Sequence, residues 1–506
     1  MAPTTPDLAQ GIPFDRLTEG EPFLGHVGEK EVIVVRRGDE LFAIDALCSH
    51  YHANLAGGLV VDDTIRCPMH HACFNLRTGV VLRAPALDPV ACWRVERLED
   101  RIFVREKLPA TPRVAPTSRG KVPASVVIVG GGAAGIAAAA TLRREGYENA
   151  ITLVSADDTA PYDRPNLSKD YLAGTAPEEW MPLRSAKFYA RNKIDLMLGA
   201  RATQLDAGRK QLSLADGREI PFDALLLATG ADSVRVSIPG AAPDYVCYLR
   251  TFADCRAIVA KLGGARQVVI LGASFIGLEA AVSLRARGIA VHVVGREPVP
   301  MERVLGPQLG QFLKQLHESH GVVFHLGTTI TGVDNRTVHL GDGTSLEADF
   351  VIAGVGARPS VDLAEKAGLT TDNAVPVDEH LQTRAPGIYA AGDIAQWPDP
   401  VSGDRIRVEH WVVAQRQGEV AARNMLGAGE TFAAVPFFWS QHYDVAINYV
   451  GHATRWDEIE VSGDLTARDC AVKYRRAGRT LAVATVSRDR FNLEMEAALE
   501  SSQSLD

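Results

Sequence analysis

The sequence predicts a multidomain chain: an all-β first hundred residues, a long α/β region, and a small α+β tail. Three observations carry this. Ser125-Val-Val-Ile-Val129 and Gln267-Val-Val-Ile-Leu271 are continuous apolar strands, and each breaks into glycines and restarts as an alanine-rich helix. Before Leu108 the apolar runs are short and bounded by turn residues. After about Phe432, short strands at Ile459–Val461 and Ala471–Tyr474 precede one helical stretch, Arg488 to Leu499.

At 506 residues the length suits three or four domains of roughly 150 residues each. A hydrophobic share of 46% and a charged share of 23% are those of a globular chain. The net charge of -9 argues against a nucleic-acid partner, which needs clustered basic surface. No apolar run reaches the ~18 residues that span a bilayer, and the first residues lack the basic and apolar regions of a signal peptide. Seven cysteines, unevenly placed, make no disulfide framework. These features read as a cytoplasmic chain of open oligomeric state.

In the first unit, Glu31–Arg37 and Glu40–Asp45 read as two strands around a Gly38-Asp39 turn. Further strands are expected near Val80–Leu82, Trp93–Val95 and Ile102–Val104. Between them stand Cys48-Ser-His50 and, after sixteen residues, Cys67-Pro-Met-His70. Two thiolates and two imidazoles on paired loops are acceptable ligands for iron or for zinc. A [2Fe–2S] centre with two Cys on one iron and two His on the other needs this inventory.

The spacing, the proline after Cys67 and the hairpin setting resemble the Rieske ferredoxin family over Gly11 to about Leu108, as does Ala72–Asn75 with Thr78-Gly79. The resemblance implies Cys48, His50, Cys67 and His70 as cluster ligands. Respiratory Rieske proteins add a cysteine to each loop, where Ala53 and Met69 stand here, so the likeness is to the soluble, lower-potential type. His71, where many relatives have glycine, and His52 read as packing or hydrogen-bonding residues. Leu108–Ala124 is rich in proline and small polar residues, as an extended tether would be.

In Gly130-x-Gly132-x-x-Gly135 the glycines allow a tight turn and close backbone approach to a pyrophosphate, which sits at the helix N-terminus. The next strand, Ile151–Ser155, calls for an acid near its end to take the adenosine ribose. Asp157 is the candidate and Asp158 the substitute. Pro161-Tyr162-x-Arg164-Pro165-x-Leu167-Ser168-Lys169 then resembles the family of apoptosis-inducing factor, putidaredoxin reductase and the reductases of aromatic-ring dioxygenases. The resemblance implies FAD, bound by Arg164, with Lys169 near the reactive edge of the flavin. No cysteine occurs between Cys92 and Cys247, so the flavin has no neighbouring disulfide to reduce. Cys247, Cys255 and Cys470 read as buried, inert thiols.

Gly272-Ala-Ser274-Phe-Ile-Gly277 opens the second strand–turn–helix, with serine at the middle glycine position. Its setting and the following Leu278-Glu279 point to the NAD(P)H site, and the resemblance pairs Glu279 with Lys169. At the end of the next strand, Gly295 stands where an NADH-selective site has an acid. Arg296 would suit a 2′-phosphate and Glu297 argues the other way, so NADPH and NADH stay open.

Asp349–Pro359 resembles the return crossing of these flavoproteins, and Ile388-Tyr-Ala-Ala-Gly392-Asp393 their second FAD signature. Asp393 is expected to bond the ribityl chain, with the following helix N-terminus near the phosphates. Val408–Trp411 opens a helix whose dipole would face the flavin's pyrimidine end. Trp411 and Trp439 are each open between flavin contact and core.

The expected division is a Rieske domain at 11–108, a linker at 109–124, FAD-binding parts at 125–234 and 358–430, an NAD(P)-binding domain at 235–357, and an α+β C-terminal domain at 431–506. The resemblance implies an oxidoreductase passing electrons from NAD(P)H through FAD to its own cluster, and on to an oxygenase, a P450 or another acceptor. The cluster's histidine edge is expected to face outward or toward the flavin. A redox sensor and a self-contained flavoenzyme are the alternatives.

Overall fold

Lys30–Arg37 and Glu40–Asp45 pair antiparallel around Gly38, whose φ of +60° is glycine's to adopt. They sit in a six-stranded antiparallel sheet with Phe23–Val27, Cys92–Leu98, Arg101–Lys107 and Ile12–Pro13. A four-stranded sheet, Leu59–Val61, Thr64–Arg66, Cys73–Asn75 and Val81–Arg83, carries the second cysteine loop at its tip. Ile33, Ile44, Leu55, Ile65 and Phe74 fill the core between the two sheets. The structure is a computed structural model describing residues 5–110 and 122–501, so most of the expected tether lies outside the described residues.

Ser125–Val129 becomes the middle strand of a five-stranded parallel sheet, between Ala150–Val154 and Ala224–Leu227. Being buried on both faces, such strands read as unbroken apolar runs. Ile194–Met197 and Ile388–Ala390 form its edges. Gln267–Leu271 is likewise central in a second parallel sheet, with Phe350–Ala353 and Ala290–Gly295 beside it. The helices Ala133–Arg144 and Phe275–Ala286 leave the glycine turns of the two sheets.

The Trp411–Met425 helix packs on Ala133–Arg144 so closely that a Cβ at Gly418 would lie 2.2 Å from the Ala134 carbonyl oxygen. No side chain but glycine's fits there. Most of the Trp411–Met425 helix is buried, including Gln415, Arg416, Gln417 and Glu419. The tail is a five-stranded antiparallel sheet backed by the helix Asp489–Glu500.

One expectation fails in the fold. No helix starts directly after Asp393; Ala395–Pro398 is a strand paired with Val375–Pro376 and Arg405–Ile406. Trp397 is buried in that strand, and Pro398 could not continue a helix interior. The next helix begins at Trp411.

Candidate functional site

The two cysteine loops repeat one backbone device. Cys48 N donates to Ala53 O (2.9 Å) and His52 N to Cys48 O (3.0 Å); Cys67 N donates to Ala72 O (2.8 Å) and His71 N to Cys67 O (3.1 Å). In each loop the fifth residue, His52 or His71, has positive φ, 58° and 62°. That conformation explains why glycine suits the position, and it turns His71 away from its neighbour. The His71 ring stacks on Phe437 and its Nδ1 lies 3.0 Å from Glu496.

His50 and His70 stay at the tips with their Nδ1 atoms 3.2 Å apart. Burial holds His50 down at about 4 and His70 well below the usual imidazole range, so both are neutral and offer a lone pair. The thiols also face each other: a hydrogen bond with Cys67 pushes Cys48 up, and the same bond holds Cys67 down. Among the described residues no three such donors surround one point. Two cysteines opposite two histidines instead fit a dinuclear cluster, in which each iron takes two protein ligands.

A cavity of about 690 Å³ lies between the two parallel sheets and the tail. Arg164, Lys169, Asp393, Trp411 and Trp439 line it, and its wall carries no cysteine among the described residues. The glycine turn supplies the expected cradle. A Cβ at Gly130 would meet Ala228 O at 2.0 Å, and one at Gly135 would meet Gly130 O at 1.9 Å. At Gly132 the nearest atom is Arg164 Nη2, 3.9 Å away, so the middle glycine faces open space beside a guanidinium. Arg164 Nε is buried without a hydrogen-bond partner, a donor suited to a phosphate oxygen.

Lys169 Nζ donates to Glu279 Oε2 at 2.7 Å, the pairing the sequence pointed to. Ser168 Oγ donates to the same oxygen (2.5 Å) and Ser440 Oγ to Glu279 Oε1 (2.6 Å). The carboxylate is 3% exposed and fully engaged. On the nucleotide side, Gly272 lies against Gly354 O and Gly277 against Gly272 O. Ser274 keeps the turn intact by bending its hydroxyl away. Its Oγ donates to Gly354 O (2.8 Å) and accepts from Gly277 N (3.3 Å), capping the helix.

Asp393 Oδ2 is paired with Arg250 Nη2 at 2.5 Å, a partner without a motif of its own in the sequence. Trp411 is half-buried and touches both cavity and core, as does Trp439. Asp157 lies outside the cavity wall, its Oδ1 accepting from Thr159 N and its Oδ2 from Tyr162 Oη. Arg296 is exposed at its strand end, and Glu297 is tied to Arg303 at 3.1 Å. Cys255 and Cys470 are buried as expected; Cys247 is only half-buried, at an outer strand of its sheet.

The cluster loops sit against this cavity. The His70 ring lies 4.1 Å from the ring of Trp439, Tyr51 donates a short hydrogen bond to Asp163, and His50 stacks on Tyr51. Around this contact runs a buried ionic seam that the sequence did not disclose. Glu496 receives Arg416 Nη1 (2.8 Å) and Arg66 Nη1 (3.2 Å), Arg416 Nη2 reaches His71 O, and Glu419 accepts from Ala84 N. No sequence signal marked it: Arg416 and Glu419 read as the solvated arc of an amphipathic helix, and only burial on nearly every side makes these charges need partners.

The folds, the paired loops and the cavity define a ferredoxin-reductase-type flavoprotein with a Rieske domain. Family models bear this out, matching pyridine nucleotide-disulphide oxidoreductase at residues 124–418, Rieske [2Fe-2S] domain at 12–94 and reductase C-terminal at 437–506. The chain belongs to the pyridine nucleotide-disulphide oxidoreductase family, and is an FAD- and NAD(P)H-dependent oxidoreductase whose Rieske domain takes a [2Fe–2S] cluster. Apoptosis-inducing factor 3 from Homo sapiens is 31% identical over 497 residues, covering 95% of this chain and 82% of its own. Putidaredoxin reductase CamA from Pseudomonas putida is 36% identical over 374 residues, 72% of this chain and 89% of its own. The covalent putidaredoxin reductase–putidaredoxin complex matches with a TM-score of 0.72 at 34% identity, over 76% of this chain and 94% of that one. Among the described residues no helix is long and apolar enough to cross a membrane.

Proposed function

We propose that the chain oxidises NAD(P)H and passes the electrons through its own cluster to an external acceptor, an oxygenase or a P450 among the candidates. FAD held in this cavity would supply the conversion of one hydride into two single electrons, and a [2Fe–2S] cluster held by Cys48, His50, Cys67 and His70 would supply one-electron transfer. One observation carries the reading: Trp439 walls the cavity on one side and touches His70 on the other.

The remaining residues have assignable tasks. Gly130, Gly132, Gly135 and Arg164 would hold the pyrophosphate, Asp157 the adenosine ribose and Asp393, fixed by Arg250, the ribityl chain. Gly272 and Gly277 would hold the nicotinamide nucleotide, with Arg296 on a 2′-phosphate where NADPH is used. Lys169 and Glu279 would orient the reacting rings, since hydride transfer rests on geometry more than on acid or base. Cys48, Cys67, His50 and His70 would bind the irons. Beside them Leu47, Tyr51 and Met69 are 40–43% exposed, an apolar rim that an acceptor protein would meet.

A second reading, a self-contained flavoenzyme that reduces a small molecule at the flavin, draws on the burial of His70 against Trp439, which covers that ligand from an outside partner. Anaerobic titration with NADPH and with NADH decides between them, following flavin absorbance and the cluster by EPR. Flavin bleaching with parallel growth of a Rieske-type signal supports the electron chain. Bleaching while an intact cluster stays oxidised overturns it.

A further inference from the structure

The Lys169–Glu279 pair is the inner end of a longer polar chain. Ser440 Oγ, which donates to Glu279, lies 3.1 Å from His442 Nε2, and His442 Nδ1 lies 3.1 Å from His317 Nε2. Ser440, His442 and His317 are each no more than 1% exposed. Beyond them the His317 ring meets the ring of Tyr443 edge-on at 5.2 Å, and Tyr443 stacks at 3.6 Å on His320, which is exposed. The half-buried Tyr443 and the exposed His320 thus cover the outer end of the chain.

The chain has a direction. The Ser440 hydroxyl spends its one proton on Glu279 Oε1, so its oxygen accepts from His442 Nε2–H. His442 Nδ1 is then the acceptor and His317 donates from Nε2. That leaves a bare lone pair on His317 Nδ1, and this atom is buried without a partner. Burial holds His442 down at about 3 and His317 at about 2, so each imidazole is neutral, with one proton and one lone pair.

We propose that His317, His442 and Ser440 form a proton relay that protonates Glu279 from the outside as a hydride arrives at the flavin. The inference rests on the placement of Lys169 and Glu279 beside that flavin. A hydride is one proton and two electrons, so its arrival adds one negative charge next to Lys169. A solvent proton bonds to His317 Nδ1, and His317 releases its Nε2 proton to His442 Nδ1. His442 gives its Nε2 proton to Ser440, and Ser440 gives its own to Glu279 Oε1. At each station one bond to hydrogen forms and one breaks, and no electron moves. Both imidazoles then hold their proton on Nδ1 and the chain points outward, ready to run in reverse.

The test is rapid anaerobic mixing of the holoprotein with NADPH, and separately NADH, in weak buffer with a pH-indicator dye. In the unaltered protein, proton uptake keeps pace with flavin bleaching. In His442→Phe and His317→Phe it lags by about a hundredfold, the low end of what a positioned proton-transfer group supplies. Uptake that keeps pace in both variants overturns the relay, as does an unaltered protein that takes up no proton. Nitrogen-15 NMR of the unaltered protein, which needs no turnover and no folded variant, is expected to show His442 and His317 as Nε2–H tautomers coupled across their hydrogen bond; an Nδ1–H form of His442 overturns the assignment. If neither nucleotide bleaches the flavin, the functional reading has failed, and the tautomers still judge the chain.

Discussion

The ring of His70 rests against the indole of Trp439, centroids 4.1 Å apart and planes tilted by 44°. These residues are far apart in sequence, one on a Rieske loop and one on the first strand of the C-terminal sheet. Because Trp439 also lines the central cavity, a single side chain separates a proposed iron ligand from the proposed flavin space. Replacing it with leucine keeps an apolar wall and removes the aromatic bridge. Cluster reduction relative to flavin bleaching is expected to slow by about tenfold, ~1.4 kcal/mol on the barrier. Stopped-flow absorbance checks this, and an unchanged ratio would remove Trp439 from the route.

His70 and His71 are neighbours with opposite roles. His70 keeps its Nδ1 beside that of His50, whereas His71 adopts φ of 62° and turns to Glu496. His70→Ala is therefore expected to lose the [2Fe–2S] spectrum and iron content. His71→Gly is expected to retain both, because glycine adopts the same backbone without strain of about 1–3 kcal/mol and the ligand set is untouched. Loss of the cluster in His71→Gly would overturn the ligand assignment.

What the sequence disclosed was local. The two glycine turns, the Cys48–His50 and Cys67–His70 loops and the Lys169 segment each lie within one short stretch, where spacing and chemistry are read together. The Lys169–Glu279 pair was reached only through family resemblance, since 110 residues separate the partners. The ionic seam was not legible at all. Arg66 and Glu496 are 430 residues apart, and no periodicity tells a docked arginine from a solvated one. The strand after Asp393 was missed for a different reason: a resemblance supplied the helix, although Trp397-Pro398 argued against it.

Arg296 and Glu297 compete for the 2′ position of the nucleotide, and the pairing of Glu297 with Arg303 at 3.1 Å draws that acid aside. Arg296 is then the group left at the end of the strand. If it meets a 2′-phosphate, Arg296→Glu removes a charge-assisted bond of ~1.5–3 kcal/mol. The NADPH-to-NADH ratio of kcat/KM is expected to fall about ten- to hundredfold, by the same conversion. Steady-state kinetics with both nucleotides measure it. A ratio that holds would place the discrimination elsewhere.

Glu496 ties the Rieske unit to the flavoprotein. Burial by itself would raise its carboxyl, but Arg416, His71 and Arg66 together hold it well below the usual 4.5. A carboxyl lowered in the folded state stabilises that state while ionised. Its contribution is complete above the ordinary value and is lost as pH falls through the lowered one. Stability is thus expected to hold down to about pH 4.5 and then decline as Glu496 takes a proton and leaves the buried Arg416 guanidinium without a carboxylate, while Arg66 keeps Glu500 at 2.8 Å. Glu496→Gln brings that loss to neutral pH, about 3–5 kcal/mol for breaking a buried pair. The same substitution should flatten the acid limb of the pH profile, because the group responsible no longer titrates. Thermal unfolding of both proteins across acid pH tests the argument, and an acid limb equally steep in Glu496→Gln would assign the decline to other carboxylates.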